Sequence, residues 1–261
     1  MNSNTREEVA VVRDYKVVKA NAIIQRARYD LSLQELKIMS YCFSMIKPND
    51  VPGQEYIFSI SDYCRICGIN DKSGWNYKEF KALLKGLRDK SFWITNDDGS
   101  ESTVGWLGKV NINRGSGKVK IKFDEDMQHY ILGLFENFTQ YELLSTLPMR
   151  SQYSFRIYEI LKSYAWTKKH TFDLPELKKQ LAAEHYVNFK DFRKKVIEKA
   201  VAEINEFTDL SVSYETVKSG AKVVKITFFI KQKDVWGRYE ASTKAIKQLD
   251  GQMTIGDFIN E

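Results

Sequence analysis

Apolar residues recur at helical spacing most clearly between residues 188 and 205, where Phe192, Val196, Ala200 and Ile204 fall every fourth residue with Ile197 and Val201 beside them. Asn188 stands where an N-cap belongs. The same periodicity predicts a helix over 76–89, with Phe80, Leu83, Leu84 and Leu87 on one face. It also predicts helices from Leu33 to about Ile46, capped by Asp30 or Ser32, and over Ser151–Tyr164. A short helix capped by Ser61 runs through Tyr63, Ile66 and Cys67 and stops at Gly68. Asp124 begins another, through Met127, Tyr130, Ile131 and Leu134, and Pro175 opens a short one through Leu177 and Leu181. Alternating or β-branched runs predict strands at 15–20, 56–60, 92–95, 103–110, 118–123, 139–147, 170–174, 210–217 and 222–230. Turn residues divide several of them, at Asn96–Gly99, Asn113–Gly117 and Lys218–Ala221. Residues 234–261 are polar and mixed and predict no element.

Three segments of the chain occur twice, in the same order. Asn76-Tyr-Lys-Glu-Phe-Lys81 matches Asn188-Phe-Lys-Asp-Phe-Arg193, and Val119-Lys-Ile-Lys-Phe123 matches Val224-Lys-Ile-Thr-Phe228. Phe58-Ser-Ile-Ser-Asp62 is similar to Phe172-Asp-Leu-Pro-Glu176, and each pair lies roughly 110 residues apart. Three helices followed by strand, turn and strand outline a winged helix. The predicted fold is therefore α+β: two tandem winged-helix domains related by an internal repeat. The expected divisions are a flexible N-terminus at 1–14, a first domain at 15–135, a second at 136–233 and a tail at 234–261.

Charge gives this pattern a direction. The chain carries a net charge of +6 and a pI near 9.0, too modest for a nonspecific polycation, so any nucleic-acid binding must come from local clusters. Lys190, Arg193, Lys194 and Lys195 crowd the start of the 188–205 helix, where the helix dipole would favour acids. Lys78, Lys81, Lys85 and Arg88 lie opposite the apolar face of the 76–89 helix. Arg114, Lys118, Lys109 and Lys120 decorate the first wing, and Lys218, Lys222 and Lys225 the second. These residues, with Asn188, are the candidate contacts to double-stranded DNA. In helix-turn-helix modules the last helix enters the major groove while the flanks hold the backbone. A solvated charged face is the alternative for each of them.

Other chemistry finds little support. The opening residues hold no apolar run of a secretion signal, no segment approaches membrane-spanning length, and three cysteines fit a reducing, cytoplasmic setting. Cys64-x-x-Cys67 has no second ligand pair for zinc. Asp124-Glu-Asp126 reads as a helix start rather than a metal site. His129, His170 and His185 are scattered, and Gly115-Ser-Gly-Lys118 lacks the first glycine and the Ser/Thr of a phosphate loop. No cofactor, metal, membrane contact or catalytic residue is expected. The enzyme alternative is a nickase.

Asn21-Ala-Ile-Ile-Gln-Arg-Ala-Arg-Tyr-Asp-Leu-Ser-Leu-Gln-Glu35, Tyr153-Ser-Phe-Arg-Ile-Tyr-Glu-Ile-Leu161, Phe189–Ile197 and Ala200–Asn205 together carry a further signal. Over roughly residues 15–232 the chain resembles the replication initiator (Rep) proteins of iteron-bearing plasmids. The resemblance implies two winged helices, the second gripping the origin repeats more tightly. It implies a monomer that initiates and a homodimer, formed through the first domain, that represses its own gene. It further implies recruitment of the host initiator and the host replicative helicase. A tandem winged-helix transcription regulator would share every DNA contact and differ in what it recruits.

Overall fold

The structure is a computed structural model, and it describes residues 15–69 and 77–250. Asn76, which opens one of the repeated segments, lies outside the described residues, as do the expected N-terminal segment 1–14 and residues 251–261.

The first half runs β1 (Lys16–Ala20), α1 (Asn21–Arg26), β2 (Ala27–Arg28), α2 (Leu33–Ser44), β3 (Tyr56–Ser59), α3 (Ile60–Ile66), α4 (Tyr77–Asp89), β4 (Ser91–Thr95), β5 (Glu101–Gly105), β6 (Leu107–Ile112) and β7 (Lys118–Phe123). A short α5 (Glu125–Gln128) and β8 (Phe138–Glu142) lead to the second half: α6 (Gln152–Ser163), β9 (Lys169–Asp173) and α7 (Leu174–Gln180). There follows α8, built of an α-turn (Phe189–Phe192), a π-helical segment (Arg193–Glu198) and an α-helix (Lys199–Phe207). β10 (Leu210–Ser219), β11 (Lys222–Gln232) and α9 (Val235–Asp250) complete the order.

The repeat is visible in the sheets. β3-β7-β6 and β9-β11-β10 have the same strand order, each with the last strand of the domain in the middle and all pairs antiparallel. Each sheet buries one side. Phe58, Val119 and Ile121 face Phe80 and Tyr63 in the first domain; Ile226 and Phe228 lie under α8 with Phe192, Val196 and Ile204 in the second. Each of these large side chains contributes about 1.5–3 kcal/mol by leaving water.

Several local expectations are corrected. Ser32, one of the two caps expected for α2, does hold it, in a capping box with Glu35; the others change. α3 is capped by Ser59 instead of Ser61, because β3 runs directly into the helix and places the Ser59 hydroxyl on the Asp62 N–H at 3.0 Å. The expected strand 103–110 is broken at Trp106. The indole is buried against Tyr29 and Phe92, at 4.8 and 4.5 Å between ring centroids. The chain therefore leaves the β2-β4-β5 sheet there and joins the other. Gly105 permits the turn: a Cβ on it would lie 2.6 Å from Asp124 Oδ2. The helix expected to reach Leu134 ends at Gln128, and the strand expected at 139–147 ends at Glu142 in a 3₁₀ turn. The tail from 234 carries helix α9, anchored by Ala241, Ala245 and Leu249 at four-residue spacing.

The two halves share one continuous core. β1 pairs with β8, from Lys16↔Glu142 to Ala20↔Phe138, so the chain on either side of residue 135 is one ladder. Under that ladder lies a buried charge cluster. Glu159 of α6 accepts from Lys19 of β1, from Arg156 at 3.1 Å and from the Tyr141 hydroxyl at 2.6 Å. Arg156 also stacks over Tyr29 at 4.1 Å and donates to the Ile24 carbonyl at 3.4 Å. Gln180 of α7 donates to the Gln25 carbonyl at 2.6 Å. α9 closes the far side, with Leu249 against Gly68.

Burial favours the neutral form of Glu159, but Lys19 and Arg156 more than offset it and hold the carboxyl below its ordinary range. A carboxyl depressed in the folded state stabilises above its unfolded pKa, and that stabilisation is lost as pH falls through the folded value. Glu159→Ala, which strands two buried cations, is expected to cost about 3–5 kcal/mol in urea unfolding. Glu159→Gln is expected to flatten the loss of stability below the ordinary carboxylate pKa, measured as midpoint against pH; an unchanged acid limb would remove Glu159 from the linkage.

Candidate nucleic-acid interface

α8 begins where Asn188 accepts the Lys190 N–H at 2.8 Å. The cap consumes the Asn188 side-chain oxygen, so the group it has left to offer is its NH2, a donor. Phe192, Val196, Ile197, Ala200 and Ile204 are fully buried, whereas Lys190, Arg193, Lys194 and Lys195 are exposed. The periodicity predicts a uniform α-helix, and the π-helical segment is the correction to it. In a straight α-helix each four-residue step overshoots by about 40°, so a stripe at 192, 196, 200 and 204 would wind off the core. The wider π segment absorbs an extra residue and keeps the stripe facing inward. One consequence is an Arg193–Glu198 ion pair at 3.3 Å, five residues apart, between two half-exposed side chains. Such π segments often occur at functional sites.

In the first domain, Lys78, Lys81, Lys85 and Arg88 are all exposed on α4, opposite the buried Phe80, Leu84 and Leu87. Lys85 pairs with Asp89 on the same face. Arg114 stands at the wing tip, in a turn where Asn113 Oδ1 accepts from Gly115 and Ser116 at 3.0 and 3.1 Å and Gly117 takes φ +63°. Lys222 stands beside the second wing's tip, where Gly220 has φ +60°, a left-handed conformation that suits glycine. Lys118 separates from the α4 group: it lies with Lys120 and Lys122 on the sheet's solvent face. The sequence reading passed over Lys122, although the two-residue spacing of Lys118, Lys120 and Lys122 in a strand was the available signal.

Residues 16–162 match the family model described as "Initiator Replication protein, WH1", and residues 173–230 match "Initiator Rep protein, WH2". The chain belongs to this family of replication initiators. It is a DNA-binding family of two winged helices. An uncharacterized 27.6 kDa protein of Escherichia coli is 24% identical over 227 residues, covering 78% of this chain and 91% of the relative. The PI protein of Escherichia coli is 32% identical over 131 residues, 43% of each chain. A crystal structure of domains 2 and 3 of RctB aligns at 11% identity and a TM-score of 0.43, over 88% of this chain and 98% of that one.

Elsewhere the initiator's reactive side chains have structural surroundings. Cys42, Cys64 and Cys67 are buried and free of disulfides, and burial pushes the Cys67 thiol up to about 12, away from a metal-binding thiolate. His170 stacks on Tyr164 at 3.7 Å, and burial lowers its pKa. Among the described residues no group of three or more His, Cys, Asp or Glu could hold a metal ion, and no helix is long and apolar enough to cross a membrane.

Asn188→Ala is expected to remove the cap of α8 and lower stability by about 1 kcal/mol in thermal or urea unfolding, while Asn188→Asp retains the cap. Equal stability for all three proteins would show that α8 starts without this bond.

Proposed function

We propose that this initiator grips double-stranded origin DNA at direct repeats (iterons), with the exposed side of α8 in a major groove. α4 and the two wings hold the flanking backbone. One observation carries this reading: four cations at the positive end of α8 stand exposed while the opposite side is wholly buried. Cations there oppose the helix dipole, and an external polyanion reverses that cost. Arg193 and Asn188 offer directional donors to base edges; Lys190, Lys194 and Lys195 offer point charges to phosphates. Lys78, Lys81, Lys85, Arg88, Arg114, Lys118 and Lys222 are backbone contacts in the same reading.

The proposed mechanism has no bond-making step. Binding energy bends or destabilises an adjacent A·T-rich stretch, and the bound protein brings in the host initiator and replicative helicase. A homodimer through the first domain would repress the protein's own gene. A transcription regulator with the same contacts would bind as well but leave the A·T-rich tract closed.

Arg193→Ala and Lys194→Ala should each weaken binding to repeats flanking the gene, by about 1–3 kcal/mol where the residue touches a base, in a fluorescence-anisotropy titration. Full affinity in both variants would take α8 out of the groove. Lys81→Ala and Lys85→Ala should each reduce the slope of log affinity against log salt by about one, and an identical slope would free α4 from the DNA. Supercoiled origin DNA incubated with the protein and magnesium is expected to stay unnicked while the A·T-rich tract becomes permanganate-reactive; nicking would overturn the non-catalytic mechanism, and an unreactive tract would favour the regulator.

A further inference from the structure

The β3-β7-β6 sheet has an inner and an outer face. The inner face carries Tyr56, Phe58, Val119, Ile121 and Phe123, all buried; Phe58 lies 6.2 Å from Phe80 of α4, ring centroid to centroid. Strand alternation puts Ile57, Lys118, Lys120, Lys122, Lys109 and Asn111 on the outer face. Phe80 lies on the side of α4 opposite Lys81 and Lys85. The α4 cations and the outer-face lysines therefore project from opposite sides of the first domain. A duplex lying along α4 would run on the far side of the sheet from Lys109, Lys120 and Lys122. Lys109 and Lys120, expected above as wing contacts, therefore fall to another ligand, while Lys118, beside the wing turn, stays with the DNA.

The outer face is electrostatically incomplete. Lys109 pairs across the ladder with Lys122, and Lys120 stands between Asn111 on one side and Ile57 on the other. Like charges placed opposite each other weaken a sheet. Glu55, 4.0 Å from Lys122, is the one acid against them, and among the described residues neither Lys109 nor Lys120 has an ion-pair partner. Glu55, Lys109, Asn111, Lys120 and Lys122 line a shallow depression. The free chain holds a ring of donors around a space that an anion would fill.

Two features select the anion. Ile57 is 54% exposed beside Lys120, where a phosphate strand gains nothing and an apolar side chain gains a contact. Glu55 repels a continuous phosphate backbone but tolerates separated carboxylates. We propose that the outer face of this sheet docks an acidic segment of a partner protein, in which carboxylates alternate with apolar residues. Extended chain repeats every two residues at about 6.6–6.8 Å, the spacing of Lys120 and Lys122 along β7. The docking site rests on the reading of the chain as an initiator that recruits proteins while bound to DNA, and gives that recruitment a surface the DNA leaves free.

The test uses the full chain and two fluorescein-labelled 12-residue peptides, one alternating Glu and Leu, the other all Glu, in anisotropy titrations with and without saturating origin duplex. The alternating peptide is expected to bind in both conditions. Lys109→Glu/Lys120→Glu/Lys122→Glu should weaken it at least about tenfold while leaving duplex affinity within about twofold. Ile57→Asp should weaken the alternating peptide more than the all-Glu one. Lys109→Glu alone should raise the melting temperature of the free chain, because it turns an opposed pair into an attractive one. Unchanged peptide affinity in the triple variant, displacement of the peptide by duplex, or loss of duplex affinity matching that of Lys81→Ala would each overturn the proposal, the last making this face a second DNA contact. Failure of the wild-type chain to bind duplex would instead overturn the origin-binding reading and leave the peptide result standing.

Discussion

The buried contact of Lys19 and Arg156 with Glu159 is the constraint on which the rest of the molecule depends. It joins the first strand of the chain to α6, and the Tyr141 hydroxyl completes the carboxylate's partners. Removing three charges from water costs several kcal/mol per ion, so the cluster adds little net stability. What it supplies is discrimination. β1 in any other register would bury Lys19 away from Glu159, while the Arg156–Glu159 pair, both on α6, would persist. Two winged helices that could have been beads on a flexible linker are held instead at one mutual angle, with the β1–β8 ladder above and α9 strapped against Gly68.

That rigidity bears on how DNA would be held. Two recognition helices on a loose tether pay separately for being ordered, whereas a preset pair pays much of that cost on folding. The preset pair in turn demands a fixed separation of its two groove contacts, which favours DNA with regular spacing. The same logic applies to the lysines themselves. α8 keeps four cations at the wrong end of its dipole and β6–β7 keeps two lysines opposed, and both arrangements weaken the free chain slightly. In the proposed reading each is relieved by an anion from outside.

Much of this was legible in the residues. The matching of residues 76–81 with 188–193 and 119–123 with 224–228 implied two copies of one fold, and the two sheets do share a strand order. Hydrophobic periodicity separated the exposed lysines of α4 and α8 from the buried stripe. It did so because a long amphipathic helix has one stable way to lie on a core. The same periodicity missed the π-helical segment: a stripe at 192, 196, 200 and 204 looks helical whether the helix bends to follow it or not. It also missed the break at Trp106, since Thr103 to Val110 reads as one strand until the indole finds its pocket.

The sequence by itself determined the pair of winged helices, the amphipathic polarity of α4 and α8 and the absence of a recognisable phosphate-loop motif, because these follow from local spacing and side-chain type. Only the tertiary structure decided that Lys19 reaches across 140 residues to Glu159 and that the tail beyond Asp234 folds back as α9. Those outcomes rest on which surfaces meet in space, and no local pattern encodes a partner that distant in the chain.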